Sequence, residues 1–178
     1  MTEFSDKYTR IVVAVDPAVG AGRSNSETGI IVAGLGVDQF AYVMDDLSFK
    51  GSPAKWAYKV ISAYWEYKAD RVVAEINQGG DLVEQLLRSF DPKVSYKGVR
   101  ASRGKVTRAE PIAALYEQGK VFHTRSFPRL EEQMCTYIPG KGMASPDRLD
   151  AMVWALTELM LNEGRDEPRP IAPKVWWG

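Results

Sequence analysis

The chain has 178 residues, is 45% hydrophobic and 26% charged, and balances 23 Lys and Arg against 23 Asp and Glu. That composition suits one globular domain with a sizeable core, and zero net charge removes any bulk attraction to a polyanion. A single Cys135 and a single His123 exclude a disulfide framework and a Cys- or His-built metal site; no apolar run reaches membrane-spanning length and no signal peptide opens the chain, so an intracellular, reducing setting is expected.

Residues 1–9 are polar and read as a lead-in. Ile11 to Asp16 is a continuous apolar run closed by an acid, the mark of a strand buried on both faces. Residues 17–28, rich in Gly, Ser and Ala, read as a mobile loop. Gly29 to Gly36 and Phe40 to Leu47 are two further strands, joined by a hairpin at Gly36-Val37-Asp38-Gln39. Ser52-Pro53 opens a helix to about residue 68, with Trp56, Ala57, Val60, Ile61 and Tyr64 inward. Arg71 to Glu75 is a fourth strand, Asn77-Gln78-Gly79-Gly80 a tight turn, and Asp81 with Glu84 a capping box for a helix over Leu82 to Phe90. Val94 to Val99 is a fifth strand. Thr107 with Glu110 caps a helix to Gln118 that Gly119 ends. Val121 to Thr124 reads as a short strand and Leu130 to Tyr137 as a short helix. Ser145 as N-cap and Pro146 at the first helical position open a last helix to about residue 162, whose apolar stripe recurs at 149, 152, 153, 156 and 160. The tail, 163–178, carries three prolines, ends Trp176-Trp177 and reads as an extended arm. Without a repeat or an internal boundary, residues 10–162 form one domain: an α/β sandwich with a mixed sheet of five or slightly more strands and helices on both faces.

Two acids close apolar strands: Asp16 the first, Glu75 the fourth. A bare carboxylate there is costly to bury. Each has a bland account, Asp16 as a turn residue before Pro17 and Glu75 as the partner of a buried Arg. Asp147 and Asp150, three apart in the first turn of the last helix, could merely complement its dipole. If the first and fourth strands are neighbours, however, Asp16 and Glu75 emerge together, and Asp147 or Asp150 completes a carboxylate cluster. Such a cluster raises its own pKa values unless a divalent cation is present. Oxygen ligands without His or Cys favour Mg²⁺ or Mn²⁺, and two such ions about 4 Å apart can drive phosphodiester cleavage. Asp45-Asp46 close a strand that this order makes peripheral, and read as solvated; capping alone accounts for Asp81.

A second signal is basic. Between Pro92 and Ala109 stand Lys93, Lys97, Arg100, Arg103, Lys105 and Arg108 with no acid among them. Arg103 and Lys105 fall in the loop after the fifth strand, at the sheet end of Asp16 and Glu75, where cations suit a phosphate backbone; a solvated basic face is the plainer account. Gly98 to Lys105 only imitates a phosphate-binding loop: five residues separate Gly98 from Gly104, and Val106 stands where Ser or Thr is required, so a motor ATPase is not expected from this chain.

Taken together, Val13-Ala14-Val15-Asp16-Pro17-Ala18, Val72-Val73-Ala74-Glu75-Ile76-Asn77-Gln78-Gly79-Gly80, Ala101-Ser102-Arg103-Gly104-Lys105 and Ser145-Pro146-Asp147-Arg148-Leu149-Asp150-Ala151 resemble the nuclease domain of tailed-phage terminase large subunits, over roughly residues 10–162. The resemblance implies a ribonuclease H-like fold with the first and fourth strands adjacent and parallel. It implies two-metal cleavage of double-stranded DNA, cutting concatemeric viral genomes during packaging in the host cytoplasm. It places Asp16, Glu75 and Asp147 as catalytic metal ligands, with Asp150 assisting the second metal; many relatives carry paired acids where this chain has Pro146-Asp147. Its implied partners are an ATPase motor domain, a small terminase subunit and the portal, and no membrane. Arg100, Arg103, Lys105 and Arg108 are the expected DNA contacts. With zero net charge, isolated cutting should be nonspecific and need high protein. The competing readings are a junction resolvase, transposase or integrase with a similar acid set, a non-catalytic DNA-binding assembly module, and, opposed by the small size and missing phosphate loops, an actin-like ATPase.

Overall fold

The computed structural model describes residues 6–17, 27–76, 81–100, 105–138 and 146–162, without the side chains of 81, 105 and 106. Among these, six strands make one sheet in the order β5-β4-β1-β2-β3-β6. The central strand β1 (Tyr8–Asp16) pairs antiparallel with β2 (Gly29–Gly36), which pairs antiparallel with β3 (Ala41–Asp46). On the other side of β1, β4 (Arg71–Glu75) and β5 (Tyr96–Val99) run parallel to it. The short β6 (Val121–His123) runs parallel to β3 at the far edge.

Alternation along the strands divides the core in two. Val13, Val15, Ile30 and Val32 face α1 (Pro53–Glu66) and α2 (Asp81–Phe90). Val12, Ala14, Ile31 and Ala33 face α3 (Lys105–Glu117), α4 (Pro128–Thr136) and α5 (Asp147–Met160). A side chain's direction reverses at each strand residue, so Asp16, two beyond Ala14, belongs to the α5 face. In α5, Leu149, Met152, Leu156 and Leu159 are buried. At about 1.5–3 kcal/mol for each such side chain, they outweigh any single polar contact and fix where the helix's first turn falls.

The strands follow the sequence pattern closely; the helix starts and one sheet edge do not. Strand β1 begins at Tyr8, inside the expected lead-in, because Tyr8 pairs with Gly36. Helix α3 begins at Lys105, which puts Thr107 inside it rather than at its cap. Glu84 makes an i,i+4 pair with Arg88 at 2.8 Å, and the Asp81 side chain, on which the expected capping box rests, lies outside the described residues. Helix α5 begins at Asp147, with Pro146 in the N-cap position (φ −73°, ψ 124°); a proline side chain cannot cap, and the Leu149 N–H donates instead to Gln133 Oε1 of α4 at 3.2 Å. Gly119 does end α3, at φ +66°, a conformation that side chains disfavour. The expected turn at 77–80, the bulk of the 17–28 loop, the cap at Ser145 and the tail at 163–178 lie outside the described residues. Among the described residues no helix is long and apolar enough to cross a membrane.

Candidate active site

The sheet order brings the two strand-closing acids together. In the β1–β4 register Val15 lies beside Ala74, so one further step sets Asp16 beside Glu75, one interstrand spacing away. Asp16 is also the ladder partner of Gly29 at the start of β2. There α5 lands: a Cβ added to Gly29 would fall 2.0 Å from the Asp147 carbonyl oxygen and 3.1 Å from the Ala151 Cβ. Only a glycine lets the helix approach so closely. The ends of β1 and β4 and the first turn of α5 therefore meet at one end of the sheet, on one face.

Glu75 is buried, at 8% exposure. Its Oε2 accepts from the Trp154 indole N–H at 3.0 Å and lies 3.7 Å from Arg108 Nη1. The Arg108 guanidinium in turn sits 4.5 Å over the Trp154 ring, a cation–π contact. Both accounts of Glu75 thus describe the same carboxylate: it pairs with a buried arginine, and it stands beside Asp16. Asp150 is buried and Asp147 half-buried, in keeping with the stripe.

Between them Arg148 is buried and fully engaged. Its Nε donates to Glu27 Oε2 at 3.0 Å, its Nη1 to Asp46 Oδ2 at 2.6 Å and its Nη2 to Glu27 Oε1 at 2.5 Å. Burial works against its charge, but the bonds to Glu27 and Asp46 prevail and hold its pKa above the ordinary guanidinium value. Arg148 thereby ties the first turn of α5 to the segment entering β2 and to the end of β3. The sequence carried one hint of this role: a cation in a helix's first turn opposes the dipole unless it has partners.

Asp45 and Asp46 are not solvated. Strand β6 packs outside β3, so β3 is an inner strand; Asp45 is buried, accepts from the Tyr67 hydroxyl at 2.7 Å and pairs with Arg125, while Asp46 holds Arg148. The Tyr67 hydroxyl is pushed up by its burial and then by the Asp45 bond.

The basic run does not form one patch. Lys97 donates to the buried Glu158 at 2.8 Å, Lys93 is exposed, and Arg108 faces Glu75. Arg100 is exposed just beyond Val99, the register partner of Glu75, and so stands at the site's end of the sheet. Arg103 and the Lys105 side chain lie outside the described residues. His123 and Cys135 take no part in the site: His123, in β6, bridges the Tyr116 hydroxyl (2.8 Å) and Glu131 (3.0 Å), and Cys135 is exposed on α4.

As a donor set, Asp16, Glu75, Asp147 and Asp150 offer only carboxylate oxygens, which fits hard divalent ions. Among the described residues, no group of three or more His, Cys, Asp or Glu side chains is already placed to hold an ion. The backbone brings the acids to one place, while Trp154 and Arg108 occupy the Glu75 oxygen.

A central strand flanked by one parallel and one antiparallel neighbour, with an acid-led helix across it, defines the ribonuclease H-like class. The large terminase nuclease from thermophilic phage G20c shares the architecture: TM-score 0.63 at 13% identity, over 84% of this chain and 82% of that one. The same nuclease with bound magnesium gives 0.65 at 13% identity, over 84% and 81%. The yeast mitochondrial Holliday junction resolvase Ydc2 gives 0.53 at 12% identity, over 86% and 79%. At such identities the likeness is one of fold. No curated protein sequence matches the chain. The family described as the terminase RNaseH-like domain matches residues 13–159, and the chain belongs to it.

Proposed function

We propose that this chain is a metal-dependent endonuclease that hydrolyses phosphodiester bonds of double-stranded viral DNA concatemers during genome packaging. The observation that carries the reading is the meeting of Asp16, Glu75 and the first turn of α5 at one end of the sheet. Asp16, Glu75 and Asp147 would hold the catalytic ions, Mg²⁺ or Mn²⁺, and Asp150 would assist the second. The G20c nuclease, which shares the fold, has been solved with magnesium, zinc and cobalt bound. When bound, two such ions activate water and stabilise the leaving oxygen. The chain's own groups do the rest. Trp154 orients Glu75, Arg148 fixes the α5 turn that carries Asp147, and Arg100, Arg103, Lys105 and Arg108 take the DNA phosphates. The working assembly would add an ATPase motor domain, a small terminase subunit and the portal, in the host cytoplasm.

The test is a supercoiled-plasmid cleavage assay in Mn²⁺ with Asp16→Asn and Asp147→Asn, each confirmed folded by circular dichroism. Both should lose at least about a hundredfold in rate, more than the loss usual for a group that merely supports a ligand. Full cutting by either would remove that residue from the site; full cutting by both would end the nuclease reading. Preference for a four-way junction over linear duplex would move the substrate to the resolvase class.

A further inference from the structure

Arg108 is unusual among the buried cations of this protein. Its side chain is only 12% exposed, yet its nearest nitrogen is 3.7 Å from Glu75, and its Nε is buried without a hydrogen-bond partner among the described residues. A guanidinium bound to a carboxylate normally donates along two short bonds. Arg148 does so with Glu27, and Arg10 reaches Glu158 at 2.9 Å. Arg108 is instead held by the Trp154 face and by the charge of Glu75. It neutralises that carboxylate without saturating it. A divalent cation on Glu75 would put like charge beside the guanidinium, so the two compete for one carboxylate. The arginine lies in the early part of α3, just past the basic stretch at 100–105, within the end of the fold where phosphates would arrive.

We propose that Arg108 is a resident counter-cation for Glu75, displaced when a divalent metal binds and captured by a DNA phosphate, so that metal and DNA strengthen each other's binding. The inference rests on the reading of Glu75 as a metal ligand. By linkage, any factor by which DNA tightens metal binding is the factor by which metal tightens DNA binding.

The experiment is Mn²⁺ binding followed by the electron spin resonance of the free ion, with and without a short phosphorothioate duplex, which keeps backbone charge and resists cutting. Without DNA, Arg108→Met and Arg108→Gln should each bind Mn²⁺ about five- to tenfold more tightly than the parent, and Arg108→Lys, which keeps the charge, should not. The duplex should tighten Mn²⁺ binding to the parent by a similar factor and to the Met and Gln variants much less. If Glu75→Gln weakens Mn²⁺ binding but neither uncharged variant tightens it, the counter-cation role is wrong and the metal site stands. If Glu75→Gln leaves Mn²⁺ binding unchanged, both readings fall.

Discussion

Helix α5 covers two buried glutamate sites that look alike on paper and differ in bonding. Glu158, at 3% exposure, receives Arg10 at 2.9 Å, Arg71 at 3.2 Å, Lys97 at 2.8 Å and the Asn162 amide, drawn from β1, β4, β5 and the end of α5. Glu75, at 8%, receives one indole N–H and one arginine that stops at 3.7 Å. A carboxylate bonded on every side is a rivet; one left with spare oxygen capacity beside Asp16 can take a new ligand. The contrast separates what α5 does for the fold from what its first half would do under the proposed function.

Crossed substitutions test that contrast directly, and the largest effect should come from Glu75→Gln. Plasmid cutting in Mn²⁺ should fall at least about a hundredfold, and the urea midpoint should fall too, because the amide still accepts from Trp154 but leaves the largely buried Arg108 without its counter-charge. Gly29→Ala comes next. Its Cβ cannot coexist with the Asp147 carbonyl 2.0 Å away, so either β2 or α5 must shift. Overpacking of this kind costs about 3 kcal/mol, read as a lower urea midpoint, and cutting per folded molecule should fall as well because Asp147 moves. Glu158→Gln should differ from Glu75→Gln in what it leaves intact: it lowers stability but not cutting. Removing one member of a buried pair costs roughly 3–5 kcal/mol, and since Lys97 is 38% and Arg71 25% exposed, about 2 kcal/mol is the discounted expectation. Cutting by the remaining folded protein should stay at the parent level; a large loss would place Glu158 in the chemistry and erase the distinction.

The asymmetry also accounts for what could be read from the sequence. Asp16 and Glu75 stood out because an acid ending an apolar strand is a local contradiction, visible within six residues, whereas the adjacency of their strands, a long-range pairing, was implied only by the family resemblance. Asp150 stood out because it flanks the apolar stripe; Asp147 lies further round the helix, and only the family resemblance singled it out. Arg148 was not legible, because its partners Glu27 and Asp46 lie more than a hundred residues away and no local spacing reveals them. Asp45 and Asp46 gave no sign of burial for the same reason: Arg125, which pairs with Asp45, and Arg148, which pairs with Asp46, come from far along the chain. Glu158 gave no signal, since its three cations come from three strands. Helix starts failed where tertiary contacts replaced local caps, as when Gln133 of α4 satisfied Leu149.

The smallest expected effect lies at the middle of α5, where the Tyr116 hydroxyl donates to the Met152 sulfur at 3.2 Å and contacts His123. Burial, and then the Glu131 charge, push the Tyr116 hydroxyl well above the ordinary tyrosine value of about 10. The sign follows from proton counts. Above pH about 10 the unfolded chain has lost this proton while the folded chain keeps it, so stability is full below that pH and declines as pH rises toward the folded value. The slope from one such group is at most about 1.4 kcal/mol per pH unit. Urea titrations at about pH 9 and about pH 11 should therefore show a smaller alkaline loss for Tyr116→Phe than for the parent, even if the variant starts lower for want of the hydroxyl contacts. An equal alkaline loss in both would mean that the hydroxyl ionises freely in the folded state, and that the packing of α3 against α5 is looser than the Met152 contact indicates.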